Sequence, residues 1–166
     1  MSNATQGKSL EVWILAEARL RGILITKHDP GMYYRKAARA WVPCRKGWVD
    51  MSARLEGGRC ADFDCKTTSS KTSWALKASM KQGGHQRALL MRIHDLGSPA
   101  FVFVRKLAPP SADYVVPVTG EGLPFEGSSA KWARLECYKL APGRSWIDCV
   151  ETPEAWIAWC ARGLEA

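Results

Sequence analysis

The chain has 166 residues, 46% hydrophobic and 24% charged, the length of one domain and a globular balance that argues against disorder. No apolar run nears the ~20 residues that span a bilayer, and the N-terminus has no basic stretch leading into an apolar core, so one intracellular domain over residues 1–166 with no membrane part is expected. Residues 1–106 hold 19 Lys/Arg against 8 Asp/Glu, a net of +11, and residues 107–166 hold 5 against 8, a net of −3; a field so concentrated attracts polyanions and gains affinity by releasing counterions from phosphates.

Leu10 to Arg21 predicts a helix with Ser9 as its N-cap and Gly22 just past its end. Gly22 to Thr26 is a short strand. Residues 27–48 form a less regular segment that turns at Asp29-Pro30-Gly31. Six basic residues there (Lys27, Arg35, Lys36, Arg39, Arg45, Lys46) are interleaved with Tyr33, Tyr34, Trp41 and Trp48, a mixture suited to phosphate contact and base stacking, or to a solvated face over a core. Trp48 to Leu55 and Arg59 to Lys66 predict a hairpin around Glu56-Gly57-Gly58. After a Thr/Ser loop, helical character runs from Trp74 past Gly83-Gly84 to Leu96, and Gly97-Ser98-Pro99 stops it. Ala100 to Val104 is apolar throughout, as in a strand buried on both faces. Tyr114 to Val118 and Arg134 to Leu140 are further strand candidates, and Pro153 to Ala161 is a closing helix. Trp132, Trp146, Trp156 and Trp159 are expected to cover the sheet or build a dimer contact. The order α-β-β-β-α-β plus additions predicts an α/β (α+β) fold, a mixed central β-sheet flanked by helices.

The chemistry concentrates on the hairpin. In Cys60-Ala61-Asp62-Phe63-Asp64-Cys65-Lys66 the strand period of two places Asp62, Asp64 and Lys66 on one face and Ala61, Phe63 and Cys65 on the other. Asp50, at the start of the first arm, comes beside the end of the second and meets Asp64 and Lys66. Two carboxylates and an ammonium suit a hard divalent cation with a water beside it, the lysine offsetting charge on a phosphate. A cross-strand ion pair is the plainer alternative. Gln86 opens a helical pattern with Leu89, Leu90 and Ile93, which puts its amide on the sheet-facing side, where a polar group needs partners. Of Glu11 and Glu17 only one can face such a site, and the helix pattern leaves the choice open. The six cysteines contain no C-x-x-C pair and read as structural, without metal or disulfide.

Gly7-Lys8-Ser9-Leu10-Glu11, Val49-Asp50-Met51, Asp62-Phe63-Asp64-Cys65-Lys66, and His85-Gln86 followed by Gly97 to Arg105 together resemble the PD-(D/E)xK nuclease superfamily, and within it the RecU-type Holliday junction resolvases. The resemblance spans residues 7–106, the strongly basic portion. It implies a restriction-endonuclease-like fold and a homodimer that nicks opposing strands of four-way junction DNA in recombination and repair, using Mg²⁺ or Mn²⁺. It implies Asp50, Asp64 and the backbone carbonyl of Cys65 as metal ligands, Lys66 as the catalytic lysine, and Glu11 and Gln86 as supporting residues, which selects Glu11 over Glu17. The basic residues expected to face DNA are Lys8, Arg35, Lys36 and Arg39, joined by Arg54, Lys71 and Arg87. A bacterial or phage-infected cytoplasm is the implied setting. Asp64 stands where the family has Glu, Val49 where the superfamily has Pro, and residues 27–48 fill the interval of a longer projecting stalk. A duplex-cutting nuclease of the same fold and a non-cleaving junction-binding protein are the alternatives.

Overall fold

A computed structural model describes residues 3–28, 32–35, 39–43, 49–75, 85–119, 123 and 129–164. The expected hairpin forms β4 (Met51–Arg54) and β5 (Cys60–Thr68), antiparallel, with Met51 opposite Phe63 and Arg54 opposite Cys60. Its reversal at Glu56–Gly58 puts Gly57 and Gly58 at φ +71° and +77°, where a Cβ is strained and glycine is not. β1 (Leu24–Lys27) pairs antiparallel with β4. On the other side of β5 lies β7 (Ala100–Lys106), parallel, with Asp64 level with Val102 and Lys66 level with Val104. A parallel neighbour needs a crossover, and the helix α2 (His85–Asp95) provides it. β8 (Ala112–Pro117) then returns antiparallel to β7. The result is a mixed five-stranded sheet in the order β1-β4-β5-β7-β8, flanked by helices.

The sheet is covered on both faces, which explains why Ala100 to Val104 are all buried. On the Phe63 face lie α1 (Asn3–Leu20), whose Trp13 packs under Arg105 at 5.2 Å, and α4 (Trp146–Glu151), whose Trp146 meets the rings of Phe63 and Phe103. On the Asp64 face lie α2 and the one-turn helix α3 (Trp132–Leu135), whose Trp132 stacks on Tyr114. The last helix, α5 (Pro153–Leu164), packs against α4, and its Trp156 indole donates to the carbonyl of Val115. That bond, Leu140 N–H to Asp113 O, and a bridge between Tyr114 and Lys139 cover the outer edge of β8, which protects it from edge-to-edge pairing.

Four expectations are corrected. The first helix begins at Asn3, so Ser9 lies inside it; a single glycine, Gly7, costs only about 1 kcal/mol in a helix and does not stop it. Within 27–48 the described backbone is an antiparallel ribbon of β2 (Met32–Arg35) and β3 (Ala40–Pro43), with Tyr33 opposite Val42 and Tyr34 opposite Trp41. Ser73–Trp74 is the strand β6, paired with β9 (Ala130–Lys131), where a helix start is expected; the rest of that expected helix start, 76–84, lies outside the described residues. Arg134 to Leu140 is α3 and a 3-10 turn at Glu136–Tyr138, touching the β8 edge only at Lys139 and Leu140. The helix α4 has no counterpart among the predicted elements. Cys60, Cys65, Cys137, Cys149 and Cys160 are free thiols, and Cys44 lies outside the described residues. Among the described residues no helix is long and apolar enough to cross a membrane.

α4 is only six residues long and depends on its cap. The Ser145 hydroxyl accepts from Ile147 N–H at 3.1 Å, and Asp148 accepts from Ser145 N–H at 3.3 Å, a reciprocal capping box. Because this cap holds Trp146 over the sheet, Ser145→Ala is expected to lower unfolding free energy by about 1–2 kcal/mol, read as a fall in the urea midpoint with an unchanged m-value.

Candidate active site

The Met51–Phe63 pairing brings Asp50, one residue before β4, alongside the segment of β5 that carries Asp64 and Lys66. β4 does not extend this far, so the N–H of Cys65 has no strand partner there and donates to Asp50 Oδ2 at 2.9 Å. Lys66 Nζ lies 2.5 Å from Asp64 Oδ2 and 3.8 Å from Asp50 Oδ2, one ammonium between two carboxylates. From the first turn of α2, Gln86 Nε2 donates to Asp64 Oδ1 at 3.2 Å. The structure therefore brings together Asp50, Asp64, Lys66 and Gln86, from three separated stretches of chain.

Asp64 is fully buried, whereas Asp50 and Lys66 keep a small opening to solvent. Burial, more than any neighbouring charge, pushes the Asp64 carboxyl up to about 7; Asp50 adds to this by repulsion and by a hydrogen bond, and Lys66 opposes it. A hydrogen bond between two carboxyl groups requires a proton between them. A divalent cation in that place relieves the same repulsion without protonation. Two buried acceptors fit this: apart from the Lys66 ammonium, Asp64 Oδ2 has no hydrogen-bond partner among the described residues, and Gln86 Oε1 has none. Oxygen atoms gathered on two carboxylates and an amide suit a hard cation and its waters. Among the described residues no group of three or more His, Cys, Asp or Glu is assembled as a metal centre.

Glu11 makes its ion pair with Lys27 at the end of β1, 3.0 Å away, outside the Asp50–Asp64–Lys66 cluster. Its charge still reaches Cys65, whose partly buried thiol is held well above its usual range by burial first and by Asp50, Asp64 and Glu11 in addition. Glu17 is felt instead by Cys149 in α4. Among the basic residues expected to face DNA, Arg39 and Lys71 are exposed, and Lys71 lies in the loop just beyond the end of β5. Arg87 is half-buried on α2 beside Gln86. Arg54 is exposed at the turn end of β4, roughly 13 Å along the strand from Asp50 at 3.3 Å per residue, and its guanidinium bonds Cys60 Sγ. Lys36 and the side chains of Lys8 and Arg35 lie outside the described residues.

A second polar chain runs behind the site. Ser52 Oγ donates to Asp62 Oδ1, Ser98 Oγ donates to Asp62 Oδ2 at 3.2 Å, and His28 Nε2 lies 2.8 Å from Ser52 Oγ. Ser52 has one hydroxyl proton and gives it to Asp62, so the imidazole is the donor in its bond to Ser52. His28 N–H also donates to the carbonyl of Asp50. This chain ties β1, β4, β5 and the loop after α2 around the Asp50 end of the site. Sequence alternation places Asp62 on the Asp64 face but gives no sign of His28, Ser52 or Ser98, which meet it only through strand pairing.

The chain is similar in structure to Hjc, a Holliday junction resolvase from the archaeal hyperthermophile Archaeoglobus fulgidus, with a TM-score of 0.49 and 14% identity over 80% of this chain and 93% of that one. No family model matches the chain, and no curated protein matches it.

Proposed function

We propose that this protein is a Mg²⁺- or Mn²⁺-dependent endonuclease that resolves four-way DNA junctions by paired, symmetric nicks. The observation that carries this reading is the Asp50–Asp64–Lys66 cluster, with the buried Gln86 Oε1 beside it lacking a donor among the described residues, within the portion of the chain that holds a net of +11. Asp50 and Asp64 are the residues that would hold the ion. Cys65 is the third: its N–H is directed to Asp50, and a strand residue's carbonyl lies on the same edge as its N–H. Bound there, the ion supplies Lewis-acid stabilisation of negative charge on a phosphodiester. Lys66, the one ammonium between the acids, places positive charge where a phosphate oxygen becomes more negative on attack. Gln86 fixes the orientation of Asp64, and Glu11, with Lys27, borders the site. Arg35 at the end of β2, Arg39 just before β3, and Lys36, with Lys8, Arg54, Lys71 and Arg87, supply backbone contacts to DNA. A two-fold homodimer matches the symmetry of paired incisions.

With Mg²⁺ and equal amounts of four-way junction and linear duplex, symmetric nicks in the junction and little cutting of the duplex are expected on a denaturing gel. Equal cutting of both makes the protein a duplex nuclease of the same fold. Junction binding with no cleavage under any divalent ion makes it a non-cleaving binding protein.

A further inference from the structure

We infer that α4 and α5 carry a second nucleic-acid contact, a cleft in which one unpaired base stacks on Trp159 while Arg144 and Arg162 hold its phosphates. Of the four C-terminal tryptophans, Trp132, Trp146 and Trp156 are buried, and Trp159 alone is 39% exposed. Thr152, Ala155, Trp156 and Trp159 recur at i, i+3, i+4 and i+7 and form one stripe, which with Arg144, Asp148 and Arg162 lines a cleft of about 260 Å³.

The indole is preorganised. Trp156 is fixed by its 3.0 Å bond to Val115 O, and Trp159 lies nearly parallel to it, 4.9 Å between centroids at 15°. Arg144 sits 5.3 Å from the Trp159 centroid and 5.6 Å from that of Trp156. Although residues 107–166 are acidic as a whole, the cleft is cationic among the described residues: the one acid among them that lines it, Asp148, is paired with Arg21 at 2.9 Å, beside Arg144 and Arg162. A rigid, half-open indole beside two guanidiniums matches a base and its phosphates, the pairing that single-strand binders use. The volume is smaller than the ~300–1,000 Å³ of pockets that enclose drug-sized ligands, so it takes one planar ring. Bases in a continuous duplex are already stacked, which selects unpaired DNA. Since α4 packs on the Phe63 face of the sheet, this contact lies across the sheet from Asp64, separate from the cleavage site.

The test is titration of the full-length protein with a short oligothymidylate in EDTA at low salt, followed by tryptophan fluorescence. Saturable quenching is expected, weakened about tenfold or more in Trp159→Ala and in Arg162→Ala, and largely retained in Trp159→Phe. Circular dichroism checks that the variants fold. No binding by the wild type, or equal affinity in wild type and Trp159→Ala, overturns the proposal. Unchanged oligonucleotide affinity with loss of a dimer in sedimentation would assign the cleft to a subunit contact instead. Its role in junction handling rests on the proposed nuclease function, but base binding does not: a protein that quenches and never cuts keeps this inference and loses that one.

Discussion

Asp64→Asn is expected to reduce junction cleavage by at least about 10³-fold while leaving junction binding little changed. The substitution keeps the shape of the side chain and an acceptor for Gln86, and it removes the charge that both the cation and Lys66 require. Gel-shift affinity in EDTA and single-turnover cleavage in Mg²⁺ separate the two effects. The same residue predicts an unusual stability profile. The unfolded carboxyl ionises near 3.8, whereas the folded one keeps its proton up to about 7. Between those values the folded state binds more protons than the unfolded state, so Asp64 favours folding fully below pH ~4 and this contribution is lost as pH rises through about 7. Without metal, the wild type is therefore expected to lose on the order of 3 kcal/mol between pH 4 and pH 8 from this group. Mg²⁺ should raise its midpoint at pH 8 more than at pH 5, and the Asp64→Asn variant should show neither trend. A wild-type midpoint that rises steadily from pH 4 to 8 without metal would contradict the burial-driven shift.

The second large effect lies beneath the site. Phe63 and Phe103 meet edge to face at 4.7 Å, and Trp146 packs on both at 5.6 and 5.5 Å, fully buried. Removing that indole leaves a cavity under β5, one residue from Asp64. Trp146→Ala is expected to cost about 3–5 kcal/mol, measured by chemical denaturation, and to lower cleavage more than binding, because β5 loses the packing that fixes Asp64 and Lys66. Trp146→Phe should cost much less than Trp146→Ala: the indole N–H has no hydrogen-bond partner among the described residues, and deleting it removes an unsatisfied donor. Equal losses in the two variants would mean that the ring volume is not what holds the strand.

The hairpin and the cluster of Asp50, Asp64 and Lys66 were legible in the sequence, because strand alternation and a Gly-Gly turn act over a few residues and leave one register. Gln86 was legible for the same reason, as a polar residue on an otherwise apolar helix face. What stayed out of reach depends on contacts between distant segments. Arg134 to Leu140 has apolar residues that suit a strand, yet it forms helical turns and meets the β8 edge only at its end. Trp74 belongs to a helical pattern in isolation and to a two-stranded pairing once Ala130 lies beside it.

By itself, then, the sequence determined which residues share a face and which carry charge, since both follow from local periodicity and composition. Only the tertiary structure decided how those residues behave. Parallel pairing of β5 with β7 and the layer of α2 remove Asp64 from water and raise its proton affinity. Strand pairing likewise turns Asp62 toward Ser52 and Ser98, and helix packing leaves Trp159 open while burying Trp132, Trp146 and Trp156. Desolvation depends on everything that surrounds a group, and most of what surrounds these groups is far away along the chain.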